Sequence, residues 1–218
     1  FVEGVVLRPL PYADSDRLVS IHERSPGGYP AAVSTLNYLD WENQQEVFEC
    51  IAARAPVSVT FSGLDEATIF RGFKVTKDYF RVFGIGAALG RLFVSADCNP
   101  GNDKVVILSH SVWKSQFGAD SNVIGRAITL DGEPRVVLGV LQEARAFDKR
   151  FGDIWYPLAV APENRTRNYH WLWAAAKLKD GITQEHARTR MSAIGARLSH
   201  DFPDTNRGWG VTVSTLQD

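Results

Sequence analysis

The chain has 218 residues, 44% of them apolar and 22% charged, and its 24 Lys plus Arg against 25 Asp plus Glu leave a formal net charge of -1. This is the composition of a folded protein with apolar side chains enough for one large domain or two small ones, and it lacks the basic surplus that neutralises phosphates along a nucleic acid, so no nucleic-acid partner is expected. No apolar run approaches the roughly 18 to 20 residues of a membrane-spanning helix, and no basic segment precedes an apolar stretch at the N-terminus.

In chain order, residues 17–23 (RLVSIHE) set Val19, Ile21 and Glu23 against Leu18, Ser20 and His22 and stop at the turn cluster SPGG, which predicts a first strand. Ser34 is a favourable N-cap, and Tyr38, Trp41 and Phe48 follow on one helical face, which predicts a helix reaching toward Phe48. Residues 56–63 (PVSVTFSG) and 66–75 (EATIFRGFKV) are rich in β-branched and aromatic side chains and predict a hairpin turning at Gly63. Residues 77–84 (KDYFRVFG) read as a short helix, and GIGAALG (84–90) reads as its stop followed by a turn. That glycine run is not a dinucleotide-binding loop, which needs a strand before it and Gly or Ala where Leu89 stands.

Residues 104–109 (KVVILS) then predict a strand and 110–118 (HSVWKSQFG) a helix, while Asp131-Gly132 between the alternating arms of RAITLDGEPRVVLGVL (126–141) predicts a second hairpin. Further on, HWLWAAAKLK (170–179) is a strand and DGIT a turn. Thr183 caps a helix whose Ala187, Met191, Ile194 and Leu198 form one apolar stripe. Pro203 ends that helix, and WGVTVSTL (209–216) is the final strand. Each end of the chain thus spells strand, helix, strand, the arrangement in which two such units share one antiparallel sheet. The expected fold class is α+β: a discontinuous split β-α-β subdomain from residues 1–75 and 163–218, with an inserted mixed α/β subdomain over 76–162.

The chemistry-bearing residues point away from catalysis. Ser109 and His110 adjoin each other, whereas a nucleophile and its base come from distant segments, and the flanking glycines of a nucleophile elbow are missing. Ser109 is read as the cap of the helix that follows, with Val112, Trp113 and Phe117 on its buried side. No phosphate-binding Gly-x-x-x-x-Gly-Lys-Ser/Thr run occurs. His22, His110, His170, His186 and His200 are scattered without metal-ligand spacing and are read as surface or capping residues. The acids of DEAT and DFPD belong to solvated turns, and Asn164-Arg165-Thr166 matches the short glycosylation pattern that chance supplies easily. Two cysteines, Cys50 and Cys98, are too few for a thiolate zinc cage and leave one disulfide open. Trp171 and Trp173, with Tyr169 beside them, are expected to pack in the core rather than to line a groove for an apolar ligand. Catalytic, cofactor-binding and metal-ligating residues are assigned to no position, and no cofactor is expected.

Four segments in order carry a family likeness: LRPLPYADSDRLV near the start, VVILSHSVWKSQFGADSNVIGRAITLDGEPRVVLGV in the middle, DIWYPL after it and ARLSHDFPDTNRGWGVTV near the end. Together they resemble the periplasmic core domain of MacB-type and FtsX-like ABC transporter permeases. The resemblance implies a non-catalytic extracytoplasmic domain held between two transmembrane helices, on the periplasmic side of the bacterial inner membrane. The opening at Phe1 without Met and the blunt C-terminal end fit such an excerpt. It further implies a porter-like subdomain from both chain ends and an inserted Sabre-like subdomain. The partners it implies are a cytoplasmic ABC ATPase reached through the full permease, a second permease copy in a dimer, and a periplasmic adaptor protein. The likeness names no cargo among the macrolides, peptides, lipoproteins or cell-wall hydrolase regulators handled by related systems. Two alternatives stand beside it: a stand-alone periplasmic binding module using Tyr169, Trp171 and Trp173, and a hydrolase using Ser109 and His110.

Overall fold

A computed structural model describes residues 14–43, 46–62, 67–144 and 152–216. Along the chain, β1 (Leu18–Arg24) is followed by two short strands, β2 (Pro30–Ala31) and β3 (Val33–Ser34), and by helix α1 (Thr35–Glu42). β1 alternates only weakly in polarity because both of its faces are covered: Val19 and Ile21 enter one apolar cluster and Leu18 another. α1 stops well short of the expected Phe48. Phe48 instead opens β4 (Phe48–Ser62) and reaches the cluster of Tyr38 and Trp41 from the sheet, so three residues that look like one helical face belong to two elements. β4 forms the expected hairpin with β5 (Ala67–Val75), in register from Arg54↔Val75 to Ser62↔Ala67; the Gly63 turn itself lies outside the described residues.

α2 (Tyr79–Val82) ends near Gly84, which takes the left-handed conformation at φ 66°. The turn read beyond it is in fact β6 (Ala87–Gly90), paired with β9 (Glu133–Leu141). Glycine here serves close approach of two backbones. A Cβ at Gly90 would sit 2.1 Å from the Leu138 carbonyl oxygen, and one at Gly139 2.3 Å from that of Arg91. Between these strands lie β7 (Val105–Leu108), α3 (His110–Phe117) and β8 (Ala127–Leu130), whose hairpin with β9 follows the Asp131-Gly132 signal. β10 (Ile154–Pro157) has all four residues buried and therefore no alternation to betray it. The last elements are β11 (His170–Leu178), α4 (Gln184–Asp201), α5 (Pro203–Asn206) and β12 (Gly210–Thr215), as the C-terminal pattern predicts apart from the added turn of α5.

The strands make a 12-stranded sheet whose main path runs β12-β1-β11-β4-β5-β10-β7-β9-β6. Strands from the two ends of the chain are therefore contiguous on one side, and those from residues 87–157 lie on the other, joined where β5 and β10 pair in parallel from Gly72↔Ile154 to Val75↔Pro157 and where β8 meets β4 at Leu130↔Phe61. β1 and β12 are antiparallel, so the start of β1 lies beside the end of β12, with Val19 opposite Thr215. α4 buries its expected stripe of Ala187, Met191, Ile194 and Leu198 in one cluster with Trp41 and Leu172. A second cluster gathers Tyr79, Phe80, Phe83 and Trp155 around α2, and a third gathers Val106, Leu108, Val112 and Val137 around α3. Fully buried aromatics pack against the middle of the sheet: Trp155 meets Phe80 edge-on at 5.4 Å between ring centroids.

Candidate functional site

The most concentrated buried polar chemistry among the described residues lies where the two chain ends meet. The inward face of β1 runs Val19, Ile21, Glu23, and the strand pleat carries the carboxylate of Glu23 into the interior, where it is 1% exposed. A buried carboxylate persists only with partners. Its Oε1 accepts from the Ser34 amide at 3.0 Å, the Ser34 hydroxyl at 3.1 Å and the Asn37 side-chain amide at 2.9 Å. Its Oε2 lies 2.6 Å from His170 Nδ1, a close contact whose alignment makes no hydrogen bond. The imidazole in turn stacks face to face on Trp209, 4.1 Å away and within 10° of parallel.

The network continues beyond Glu23. Asn206 donates to Asn37 Oδ1 at 3.0 Å, and Arg167 donates to that same oxygen and to Asp40 Oδ2 at 2.7 Å while its guanidinium lies 3.8 Å above the Phe202 ring. One contiguous set of groups thus ties β1, α1, the approach to β11, α5 and the entrance to β12. At the opposite end of β1, Arg17 holds the chain to β11 and β4: it donates to the Leu178 carbonyl at 2.8 Å and pairs with Glu49 at 2.9 Å and Asp180 at 2.7 Å. Lys177 reaches Asp14 at 2.8 Å, which holds that carboxyl below its usual range.

The structure separates most of the residues singled out in the sequence. Ser109 is fully buried, and its hydroxyl accepts from the Val112 amide at 3.1 Å, the geometry of a helix cap. His110 points to Trp113, with ring centroids 5.3 Å apart. His22 faces Trp173 edge-on at 6.2 Å, and burial lowers its pKa. His200 lies on the surface beside Asp201, His186 contributes its amide to the Thr183 cap, and only His170 has entered a buried network. Cys50 and Cys98 are free thiols, each pushed up to about 11 chiefly by burial. Asn164 is exposed on a 3-10 turn, Pro162–Asn164.

The aromatic trio departs from the expected core packing. Tyr169 is 66% and Trp173 46% exposed, while Trp171 is half-buried and donates to Thr35 Oγ1 at 3.2 Å. The pairing of β11 with β3 shifts register between His170 and Leu172, and the residues of β11 directed at α1 and α4 are Leu172, Ala174 and Ala176, so Trp171 and Trp173 are not one packed face. Sequence reasoning missed Glu23 altogether. The available signal was an acid on the same strand face as Val19 and Ile21, a position that burial makes costly unless donors are supplied.

The family described as the MacB-like periplasmic core domain matches residues 1–194. Among curated relatives, the chain is 24% identical over 123 residues to the macrolide export ATP-binding/permease protein MacB of Salmonella typhi, covering 55% of this chain and 19% of that protein. It is 26% identical over 125 residues to the protein of the same name from Burkholderia pseudomallei (strain K96243), covering 55% and 18%. The chain thus spans about a fifth of the length of these relatives. Among solved structures, the periplasmic region of MacB from Actinobacillus actinomycetemcomitans superposes with a TM-score of 0.67 at 14% identity, covering 92% of this chain and 89% of that one. The extracellular domain of the noncanonic ABC-type transporter YknZ from Gram-positive bacteria gives a TM-score of 0.64 at 16% identity, covering 89% and 99%. At these identities the structural likeness speaks to the fold.

Proposed function

Because the chain belongs to the family of MacB-like periplasmic core domains, we propose that it is the extracytoplasmic portion of an ABC transporter permease subunit and that it transmits movement driven by a cytoplasmic ATPase to a substrate or partner outside the membrane. The single observation that carries this reading is the closing of both chain ends into one sheet, with Val19 opposite Thr215. A domain that receives displacement through two flanking membrane helices must take both inputs on one rigid body, and a sheet in which β1 pairs with β12 and is held to β11 and β4 by Arg17 does that. In this reading residues 1–75 with 163–218 form the porter-like subdomain and 76–162 the inserted Sabre-like one. The contiguity of the end-derived strands favours that division. The permease acts as a dimer in the inner membrane with this domain on the periplasmic side, with a periplasmic adaptor as a further partner, and the domain itself breaks no bonds.

The test uses the full-length permease with its ATPase in nanodiscs, both native cysteines replaced, and spin labels at Lys114→Cys on α3 or Arg197→Cys on α4, two exposed helix positions. ATP trapping is expected to change the distance between the two copies' labels. An unchanged distance at both positions, in a complex that still hydrolyses ATP, would remove transmission from the reading.

A further inference from the structure

We propose that the Asp131-Gly132 turn is a strap that fastens the central strands, β6 to β10, to the strands of the two chain ends, so that the whole domain turns as one lever with no hinge inside it. A hinge needs a boundary that few contacts cross. Here the chain passes from one part to the other on two strands that lie side by side, β5 leaving and β10 returning, paired in parallel from Gly72↔Ile154 to Val75↔Pro157. Main-chain bonds extend that ladder at both ends, from the Asp153 amide to the Arg71 carbonyl at 2.8 Å and from the Leu158 amide to the Val75 carbonyl at 2.7 Å. The apolar interior is not divided at the boundary either. One cluster joins Leu18 and Ala52 to Phe93 and Trp155, and another joins Val59 to Val106 and Leu108. Ala52 and Val59 are an odd number of residues apart on β4, so the two clusters cover opposite faces of the sheet, and bending the junction either way opens one of them to water.

A single ladder can still twist about its own axis, and the strap opposes that by a second attachment. β4 pairs with β11 as far as Arg54↔Trp173 and then runs on beyond it. There the Asp131 amide donates to the Thr60 carbonyl at 2.8 Å, and Asp131 Oδ1 accepts from the Thr60 amide at 2.8 Å, beside the bridge Phe61↔Leu130. Oδ2 accepts from the Tyr156 hydroxyl at 3.1 Å. Tyr156 stands buried on β10, with the Arg135 guanidinium 4.3 Å from its ring centroid. One carboxylate therefore ties together β4, the β8–β9 turn and β10. Asp131 and Gly132 both take left-handed backbone, φ 53° and 79°, as a two-residue hairpin turn requires. Glycine in place of Asp131 closes such a turn equally well, so the hairpin by itself does not call for the carboxylate.

The inference is read within one chain and does not rest on the transport reading. The experiment uses the 218-residue chain with Cys50→Ala and Cys98→Ala and one of two pairs of spin labels. The first pair, Lys114→Cys on α3 and Arg197→Cys on α4, spans the boundary; the reference pair, Glu185→Cys and His200→Cys, lies within α4 about 22 Å apart along the helix axis, and all four positions are exposed. Pulsed dipolar spectroscopy is expected to give the spanning pair a single distance, no broader than that of the reference pair. Asp131→Gly keeps the turn but removes both carboxylate contacts, and should broaden the spanning distribution about twofold while leaving the reference unchanged. Tyr156→Phe, which removes one of those contacts, should broaden it less. Arg91→Ala, which breaks the Asp97 ion pair elsewhere on the central part, should leave both widths as in the parent. The proposal falls if the parent's spanning distribution is bimodal or more than about twice as broad as the reference, if Asp131→Gly and Tyr156→Phe both leave it as narrow as the parent, or if Arg91→Ala broadens it equally.

Discussion

Around β1, α1 and α4 the protein buries a carboxylate with three donors on one oxygen and His170 against the other, whereas around β7, β9 and α3 the interior is chiefly apolar and the buried Ser109 serves to cap a helix. The first region joins segments more than a hundred residues apart, such as Glu23 with His170 and Asn37 with Asn206. The second gathers residues from Val59 to Tyr156, a shorter span of chain. Apolar packing is satisfied by many arrangements of similar shape, but a buried carboxylate is satisfied only when particular donors arrive. The polar network therefore specifies which strands meet, while the apolar cluster supplies cohesion.

The largest expected effect tests that contrast directly. Glu23→Ala strips Ser34 and Asn37 of their shared acceptor and His170 of its charged neighbour, and should cost about 3–5 kcal/mol in urea unfolding. Adding His170→Ala should recover part of that loss, with a coupling above about 1 kcal/mol, and strict additivity would show the pair to be unimportant. Leu108→Ala in the apolar region should cost about 2–5 kcal/mol and add to Glu23→Ala within about 0.5 kcal/mol, because the two share no partner. Gly139→Ala drives a methyl into the Arg91 carbonyl and should cost about 1–3 kcal/mol, with faster amide exchange confined to β6 and β9.

Smaller effects sharpen the same comparison. Ser109→Ala removes one cap from α3 and should cost about 1 kcal/mol; any esterase activity lost with it would contradict a capping role. At the bottom of the scale lies Asp97, whose carboxyl is held below its ordinary 3.8 first by Arg91, which reaches it at 2.6 and 2.9 Å, and also by the Val94 amide. Its folded pKa is depressed, so this contribution is present above pH 3.8 and is lost as pH falls through the lowered folded value. Acid unfolding curves of Arg91→Ala and the parent chain should accordingly differ above that pH and converge below it.

Much of this architecture was legible from local pattern. α4 announced itself through Thr183 and a single apolar stripe, α3 through Ser109 and Val112, and the β8–β9 hairpin through Asp131-Gly132, because in each case one face meets water and the period survives in the sequence. β10 and the first half of β4 were not legible, since strands covered on both faces lose alternation. β6 was hidden because its glycine serves a close strand approach and mimics a turn.

The sequence alone determined the type of most elements, the α+β class, the want of a phosphate-binding motif and the family likeness, all of which rest on periodicity, capping and short ordered motifs that act over a few residues. Only the tertiary structure decided that Glu23 is buried, that His170 rather than any other histidine meets it, and that Trp173 faces outward. Those outcomes depend on which strand lies beside which. Strand order is a property of long-range pairing, settled by the summed packing of distant segments, and no local pattern encodes it.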